Sequence, residues 1–296
     1  MVLCICLNPA IDKYVREDNS TITTSYGGKA INTAVTLSVL GIQSSVIGFV
    51  GENEYDFYDN MLSSRGIINH LIPTNAHTRT NIKIVKNNGS IIEKNERGFT
   101  PDKNSQILLL DKIKQLSSSH DIALISGSIP PELDTNYLEQ IIDILDIEFV
   151  LDTYPDDVAT LLNKGPLLIK PNRYELDKLA RNKLENLDDV ISYSEKLLEF
   201  GAKNVLISLD KSGAIFINNQ TRLFAKAPSL VTKSTVGAGD SMIAGYIYSH
   251  LNKSDHIETL VNCISAGSAH TLTIGTMPMV KNDFLKLIQE VEVTSI

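Results

Sequence analysis

The stretch Leu167-Leu168-Ile169-Lys170-Pro171-Asn172-Arg173-Tyr174-Glu175 passes within nine residues from a short apolar segment through a turn to the start of a helix. A short apolar run of this kind predicts a strand, here over residues 167–170, that is buried on both faces. A helical pattern follows over residues 173–180. This unit, a buried strand leading directly into a helix, is typical of α/β proteins.

The same alternation of strand and helix continues on both sides of this stretch. Further strands are predicted at 2–7, 45–50, 122–126, 149–152 and 205–209, and helices at 29–40, 105–116, 135–145, 156–162, 188–200, 240–251, 256–272 and 283–291. The pattern predicts a largely parallel sheet with helices on both faces. Ligands of such sheets bind beyond the carboxyl ends of the strands, so the residues that follow the strands are the candidates for a site.

Two segments break the alternation. Residues 11–26 and 78–94 are polar and strand-like, and Asn88-Gly89 suits a two-residue hairpin turn between strands 78–86 and 90–94. Residues 77–101 contain five basic and two acidic residues, a net charge of +3. The two segments predict a small β flap. The positive charge either prevents exposed strand edges from pairing with other chains or attracts an anionic substrate under a lid.

The whole chain has the composition of a globular protein. Its 296 residues are 43% apolar and 21% charged, with a net charge of −8, which gives no overall attraction for nucleic acid or an anionic membrane. The three cysteines, Cys4, Cys6 and Cys263, cannot make a disulfide framework, so we expect buried reduced thiols in a cytoplasmic protein. The six histidines show no zinc-binding spacing.

Two glycine-rich turns precede predicted helices. Gly27-Gly28-Lys29 opens the helix at 29–40, where bare amides and a lysine could bind phosphate, although a plain loop would look the same. Thr235-Val236-Gly237-Ala238-Gly239-Asp240-Ser241 opens the helix at 240–251. Asp240 is either an N-cap or a base that takes a proton from a hydroxyl beside an anion-binding turn.

Three more motifs follow predicted strands. Asn172 and Glu175 form a capping box or place a carboxylate near hydrated Mg²⁺ on a nucleotide. Asn8-Pro9-Ala10-Ile11-Asp12 provides an aspartate that could hold sugar hydroxyls. Ser126-Gly127-Ser128-Ile129-Pro130 suits a strand-to-helix turn.

Taken in order, these five motifs resemble those of the ribokinase-like (PfkB) sugar kinases over essentially the whole chain. The Asn8-Pro9-Ala10-Ile11-Asp12 opening is similar to the branch of 1-phosphofructokinases and tagatose-6-phosphate kinases. Thr78-Arg79-Thr80-Asn81-Ile82-Lys83 and Asn95 are closer to the 1-phosphofructokinases. The resemblance implies one three-layer α/β/α kinase domain over residues 1–296, with a β lid formed by segments near 11–26 and 77–100.

The resemblance also implies residue roles. Asp240 would be the catalytic base, and Gly237, Ala238 and Gly239 would stabilise the transferred phosphoryl group. The substrate-binding residues would be Asp12, Gly28, Lys29, Asn32, Arg79, Asn81, Lys83 and Arg97, with Lys29, Arg79 and Arg97 on the sugar's own phosphate. Nucleotide contacts would come from Lys170, Asn172, Glu175, Ser208, Gly213, Asn262 and Ser265, with Glu175 also organising Mg²⁺ indirectly. A homodimer contact through the lid is implied as well.

The expected activity is transfer of the γ-phosphoryl group of ATP to fructose 1-phosphate, which gives fructose 1,6-bisphosphate. The alternatives are a tagatose-6-phosphate kinase, a 6-phosphofructokinase of the same family, and a non-catalytic sensor of sugar phosphate or nucleotide. Three positions depart from the family pattern: Ala30 replaces a glycine, Tyr154-Pro155 replaces Ser-Gly, and Arg97 replaces a small residue or proline. These departures bear on which sugar phosphate is bound and leave the expectation of a kinase reaction unchanged.

Overall fold

The computed structural model describes residues 1–18, 20–86 and 91–296. Its strands are β1 Val2–Cys6, β2 Ala10–Arg16, β3 Thr21–Gly27, β4 Ser44–Gly51, β5 Ile68–Thr74, β6 Arg79–Val85, β7 Ile91–Asn95, β8 Ile122–Ser126, β9 Glu148–Asp152, β10 Leu168–Ile169, β11 Asn204–Ser208, β12 Ala214–Asn218, β13 Arg222–Ala225 and β14 Val293–Ser295. Its α-helices are α1 Lys29–Leu40, α2 Tyr55–Ser63, α3 Lys103–Ser117, α4 Thr135–Asp143, α5 Val158–Leu162, α6 Arg173–Ala180, α7 Leu187–Glu199, α8 Ala238–Leu251, α9 His256–Thr271 and α10 Lys281–Leu287.

The main sheet has the strand order β14-β13-β12-β11-β10-β9-β8-β1-β4-β5 across the described chain. All neighbours from β5 to β11 pair in parallel, and β12, β13 and β14 add antiparallel strands at one edge. The prediction of a mostly parallel sheet is therefore confirmed. Since parallel strands end at the same edge, the residues after β1, β8, β9, β10 and β11 are brought together there.

Helices cover both faces of this sheet because alternate residues of its central strands point to opposite sides. In β1, Val2, Cys4 and Cys6 pack with α1, α2, α8, α9 and α10. Leu3 and Ile5 face the other way and pack with α3 to α7. The three cysteines are free and buried, which confirms the prediction of buried thiols. Burial raises the pKa of the Cys6 thiol to about 11, so it stays protonated at neutral pH.

A second, smaller sheet has the order β3-β2-β6-β7 within the described residues. Strands β2 and β3 are antiparallel, β2 and β6 are parallel, and β6 and β7 are antiparallel. The two segments predicted to form a flap thus join in one sheet. The predicted turn at Asn88-Gly89 lies outside the described residues.

Several elements were not predicted from the sequence, namely α2, β5, β12, β13 and β14. The predicted final helix at 283–291 is shorter and begins earlier, at Lys281–Leu287. None of the helices in the described chain combines the length and apolar character that crossing a membrane requires.

Candidate active site

A cavity of about 1170 Å³ lies where the carboxyl ends of the parallel strands face the second sheet. Most of the predicted site residues line it, namely Asp12, Gly28, Lys29, Asn32, Arg79, Asn81, Lys83, Lys170, Asn172, Glu175, Ser208, Gly213, Gly237, Ala238, Gly239 and Asp240. Arg97 is exposed and does not line it. Asn262 and Ser265 are buried within α9 and do not line it either.

Asp240 lies in the first turn of α8 and is only 7% exposed. It is not an N-cap: Gly237 is the N-cap residue and no side chain caps the helix. The Asn32 amide of α1 donates a hydrogen bond of 2.8 Å to Asp240 Oδ2. Burial raises the pKa of Asp240 to about 6, although the Lys29 ammonium and the Asn32 hydrogen bond act in the opposite direction. A carboxylate with this pKa suits proton transfer near neutral pH.

At the start of α8 the Ala238 amide donates to the Thr235 carbonyl at 3.3 Å, while the Gly237 and Gly239 amides have no backbone partner among the described residues. Gly237 has a φ of 85°, in the left-handed region that glycine adopts without strain. A Cβ atom at Gly239 would approach Lys170 Nζ to 3.0 Å, so this ammonium lies directly beside the turn. The start of a helix with free amides and an adjacent lysine can bind an anion next to Asp240.

A buried carboxylate, Asp152, holds two of the site lysines. Asp152 Oδ2 lies 3.3 Å from Lys29 Nζ, and Asp152 Oδ1 lies 3.7 Å from Lys170 Nζ. Lys29 also pairs with Glu175 at 3.4 Å. Burial alone would raise the pKa of Asp152, but the two ammonium groups and the Ser126 hydroxyl hold it below its usual range. The sequence predicts a strand that ends at Asp152, but its pattern did not identify this aspartate as a site residue.

The end of the cavity next to the second sheet carries a different set of polar groups. Asn81 Nδ2 donates to Asp12 Oδ1 at 2.9 Å, while Asn81 Oδ1 is buried and has no partner among the described residues. Burial raises the pKa of Asp12, against the influence of Asn81, Lys83 and Arg79. An unpartnered acceptor beside a carboxylate can accept hydrogen bonds from the hydroxyl groups of a ligand.

Two cations complete that end of the cavity. Lys83 is 6% exposed, pairs with Glu93 at 3.3 Å and lies 5.6 Å from the centre of the Tyr14 ring. The Arg79 guanidinium donates to the Asn8 carbonyl at 3.1 Å. The cavity therefore has positively charged side chains at both ends, since Lys29 and Lys170 lie at the end with Asp240, where Asp152 and Glu175 pair with them.

The loop between β10 and α6 contributes the predicted pair Asn172 and Glu175. Each side chain accepts a hydrogen bond from the other's backbone amide, at 2.8 and 2.9 Å, so the capping-box interpretation is confirmed. Both residues also line the cavity, so the cap fixes the Glu175 carboxylate at its edge. An isolated bridge joins Asn172 to Ser208.

A family model described as pfkB family carbohydrate kinase matches residues 2–278. The chain belongs to this family of carbohydrate kinases. A relative from Borreliella burgdorferi named 1-phosphofructokinase is 34% identical over 284 residues, which cover 92% of each protein. The 1-phosphofructokinase of Escherichia coli K12 is 33% identical, over 93% of this chain and 92% of its own.

The pfkB fold is also evident from solved structures. Phosphofructokinase-2 from Escherichia coli, in complex with substrates and products, superimposes with a TM-score of 0.88 at 23% identity, covering 98% of both chains. The ribokinase-like α/β fold that the motifs implied is thereby confirmed. The cavity combines a buried aspartate at a helix start, a glycine turn beside it and lysine or arginine side chains at both ends, an arrangement that suits a carbohydrate kinase.

Proposed function

We propose that this chain transfers the γ-phosphoryl group of ATP to a hydroxyl group of a sugar phosphate, with fructose 1-phosphate as the substrate. The observation that carries this proposal is the position of Asp240, a buried carboxylate with a pKa of about 6 in the first turn of α8, directly after Gly237 and Gly239. Relatives named 1-phosphofructokinase, 33–34% identical over more than nine-tenths of the chain, support the choice of sugar.

The reaction needs few protein groups. Asp240 takes the proton of the attacking 6-hydroxyl group of the sugar. The oxygen of that hydroxyl group bonds to the γ-phosphorus, and the bond from the γ-phosphorus to the bridging oxygen of ADP breaks. The transition state is loose, so positioning and charge stabilisation supply most of the catalysis. The amides of Gly237, Ala238 and Gly239 would stabilise the transferred group, together with Lys170 beside them.

The substrate sugar would lie at the end of the cavity next to the second sheet. Asp12 and the unpartnered Asn81 oxygen can hold sugar hydroxyls. Arg79 and Lys83 supply positive charge for the phosphate that the sugar already carries. We assign Lys29 instead to the transferred phosphoryl group, because its ammonium pairs with Asp152 and Glu175 and acts on the pKa of Asp240. The second sheet would act as the lid, and its homodimer contact remains a prediction that sedimentation can check.

The nucleotide would occupy the opposite end, lined by Lys170, Asn172, Ser208 and Gly213. Mg²⁺ is held in kinases by one or two carboxylates together with water and phosphate oxygens. Glu175 fits that requirement because its carboxylate lines the cavity beside the phosphate-binding lysines. When bound, the ion would neutralise charge on the nucleotide phosphates.

The substrate is tested by measuring ADP release with Mg-ATP and fructose 1-phosphate, tagatose 6-phosphate or fructose 6-phosphate in turn. We expect kcat/KM for fructose 1-phosphate to exceed the other two by at least about tenfold, because a misplaced hydroxyl loses its alignment with Asp240. A preference for another sugar phosphate would support the kinase reaction but contradict fructose 1-phosphate as the substrate. Binding of ligands without any turnover would favour a sensor.

The pKa of Asp240 predicts the acid limb of the pH profile. Protonated Asp240 cannot accept the hydroxyl proton, so kcat/KM is expected to fall about tenfold per pH unit below pH 6. The Asn32 hydrogen bond lowers this pKa, so an Asn32→Ala variant should move the limb to higher pH. An acid limb that stays in place in Asn32→Ala would contradict the assignment to Asp240.

A further inference from the structure

His270, near the end of α9, is 2% exposed and reaches three separate parts of the chain. Its Nδ1 lies 3.0 Å from the hydroxyl of Ser241, the residue after Asp240. Its Nε2 lies 3.2 Å from the Gly275 carbonyl oxygen. The Val236 carbonyl also interacts with the ring. The imidazole therefore joins α8, the turn before α8 and the loop after α9.

The hydrogen-bond partners determine which ring nitrogen carries the proton. A carbonyl oxygen only accepts, so Nε2, which faces Gly275, must donate. Nδ1 then accepts from the Ser241 hydroxyl. Burial lowers the pKa of His270, so the ring is neutral at physiological pH and keeps this single tautomer. The result is a fixed, directional link between Ser241 and Gly275.

The ring also lies directly against the glycine turn. A Cβ atom at Gly237 would come within 2.5 Å of His270 Nε2, which is closer than such atoms approach. On its other side, Ser241 Oγ is 3.0 Å from Thr36 Oγ1 of α1, the helix whose Asn32 binds Asp240. The position of the turn is thus set by the ring beneath it.

The loop that His270 holds is in contact with the second sheet. A Cβ atom at Gly275 would lie 2.8 Å from the ring of Tyr14 in β2, so this backbone packs closely on the sheet. Thr276 Oγ1 lies 2.7 Å from Ser25 Oγ in β3. A continuous set of contacts runs from the second sheet through this loop and His270 to the turn before α8.

We propose that His270 is a positioning residue that fixes the Gly237–Gly239 turn relative to the second sheet, so that the sugar and the transferred phosphoryl group are aligned. This inference rests on the proposed function, in which that turn stabilises the phosphoryl group. It predicts that loss of the imidazole lowers kcat more than it raises KM, because the turn acts on the transition state.

The test compares His270→Leu, His270→Gln and a control, His120→Leu. His120 is a suitable control because it is also buried and hydrogen-bonded through both ring nitrogens, with Nε2 2.7 Å from Ser45 Oγ and Nδ1 2.7 Å from the Leu116 carbonyl, but it does not line the cavity.

His270→Leu is expected to lower kcat at least about 30-fold, with KM for ATP changed less than about threefold. A glutamine amide can both donate and accept, so His270→Gln should recover much of the loss. His120→Leu should lower the melting temperature but leave kcat unchanged.

Three results would overturn the inference: wild-type kcat in folded His270→Leu, equal kcat losses in the Leu and Gln variants, or an equal loss in His120→Leu. If His270→Leu does not fold, Ser241→Ala removes the same link, and wild-type kcat in that variant would overturn it. Failure of the unmodified protein to turn over any sugar phosphate would instead count against the proposed function.

Discussion

An Asp240→Asn variant is expected to lose at least about 10²-fold in kcat, because the amide cannot take the proton of the sugar hydroxyl. The shape of the residue is retained, and the oxygen of the new amide can still accept the 2.8 Å hydrogen bond that Asn32 donates in the wild-type protein. KM for ATP and the sugar phosphate should therefore change little. The measurement is steady-state ADP release, with Asp188→Asn on the exposed first turn of α7 as the control.

The same substitution should not destabilise the protein, and this separates loss of the base from loss of the fold. The folded-state pKa of Asp240 is about 6, above the ordinary value of 3.8 for an aspartate. Between these values the folded state binds more protons, so the free energy of unfolding falls as the pH rises through that window. About two pKa units correspond to roughly 3 kcal/mol, a cost that the neutral amide avoids at pH 8. The free energy of unfolding of Asp240→Asn, relative to that of the wild type, should therefore be higher at pH 8 than at pH 5.

Denaturant unfolding at the two pH values measures this difference. An Asp240→Asn variant that is both inactive and less stable at pH 8 would contradict the argument. Wild-type kcat in a folded Asp240→Asn variant would remove Asp240 from the role of base altogether.

The residues that follow the parallel strands could be predicted as site residues because the end of a strand is visible in the local sequence. Strands β1, β8, β10 and β11 are recognisable in the sequence as short apolar runs, and each is followed by polar or turn residues. Parallel pairing alone then brings them to one edge. The glycine turn before α8 was visible for the same reason, since Gly237, Gly239 and Asp240 are neighbours in sequence.

Asp152 and His270 were missed because their partners are distant in sequence. Asp152 is the last residue of its strand and belongs to no recognisable motif, and its partner Lys29 is 123 residues away. His270 is one polar residue in an otherwise small and apolar helix face, and nothing local identifies Ser241, 29 residues away, as its partner. The strand β14 is only three residues long and is stabilised by pairing with β13, so no periodicity marks it.

A Lys29→Met variant is expected to lose about 10²–10³-fold in kcat/KM, because a cation beside Asp240 no longer stabilises the charge of the phosphoryl group. It should also lose stability. Asp152 is fully buried, and without the ammonium at 3.3 Å it keeps only Lys170, Ser126 and Tyr154 as partners among the described side chains. Breaking a fully buried pair costs about 3–5 kcal/mol. The Lys29 side chain is 40% exposed, so we expect a smaller loss, about 2 kcal/mol.

The two effects can be separated by a second substitution. In Lys29→Met/Asp152→Asn the buried carboxylate is neutralised together with the loss of Lys29, but Lys170 loses its ion pair at 3.7 Å. The free energy of unfolding should therefore recover only in part, while kcat/KM stays low. Lys203→Met, which breaks an exposed pair with Glu148, serves as the control and should cost less than about 1 kcal/mol. Recovery of activity together with stability in the double variant would show that Lys29 acts only through the fold. A kcat/KM in the double variant well below that of Asp152→Asn alone, in which Lys170 is equally unpaired, assigns the Lys29 ammonium to the reacting phosphate.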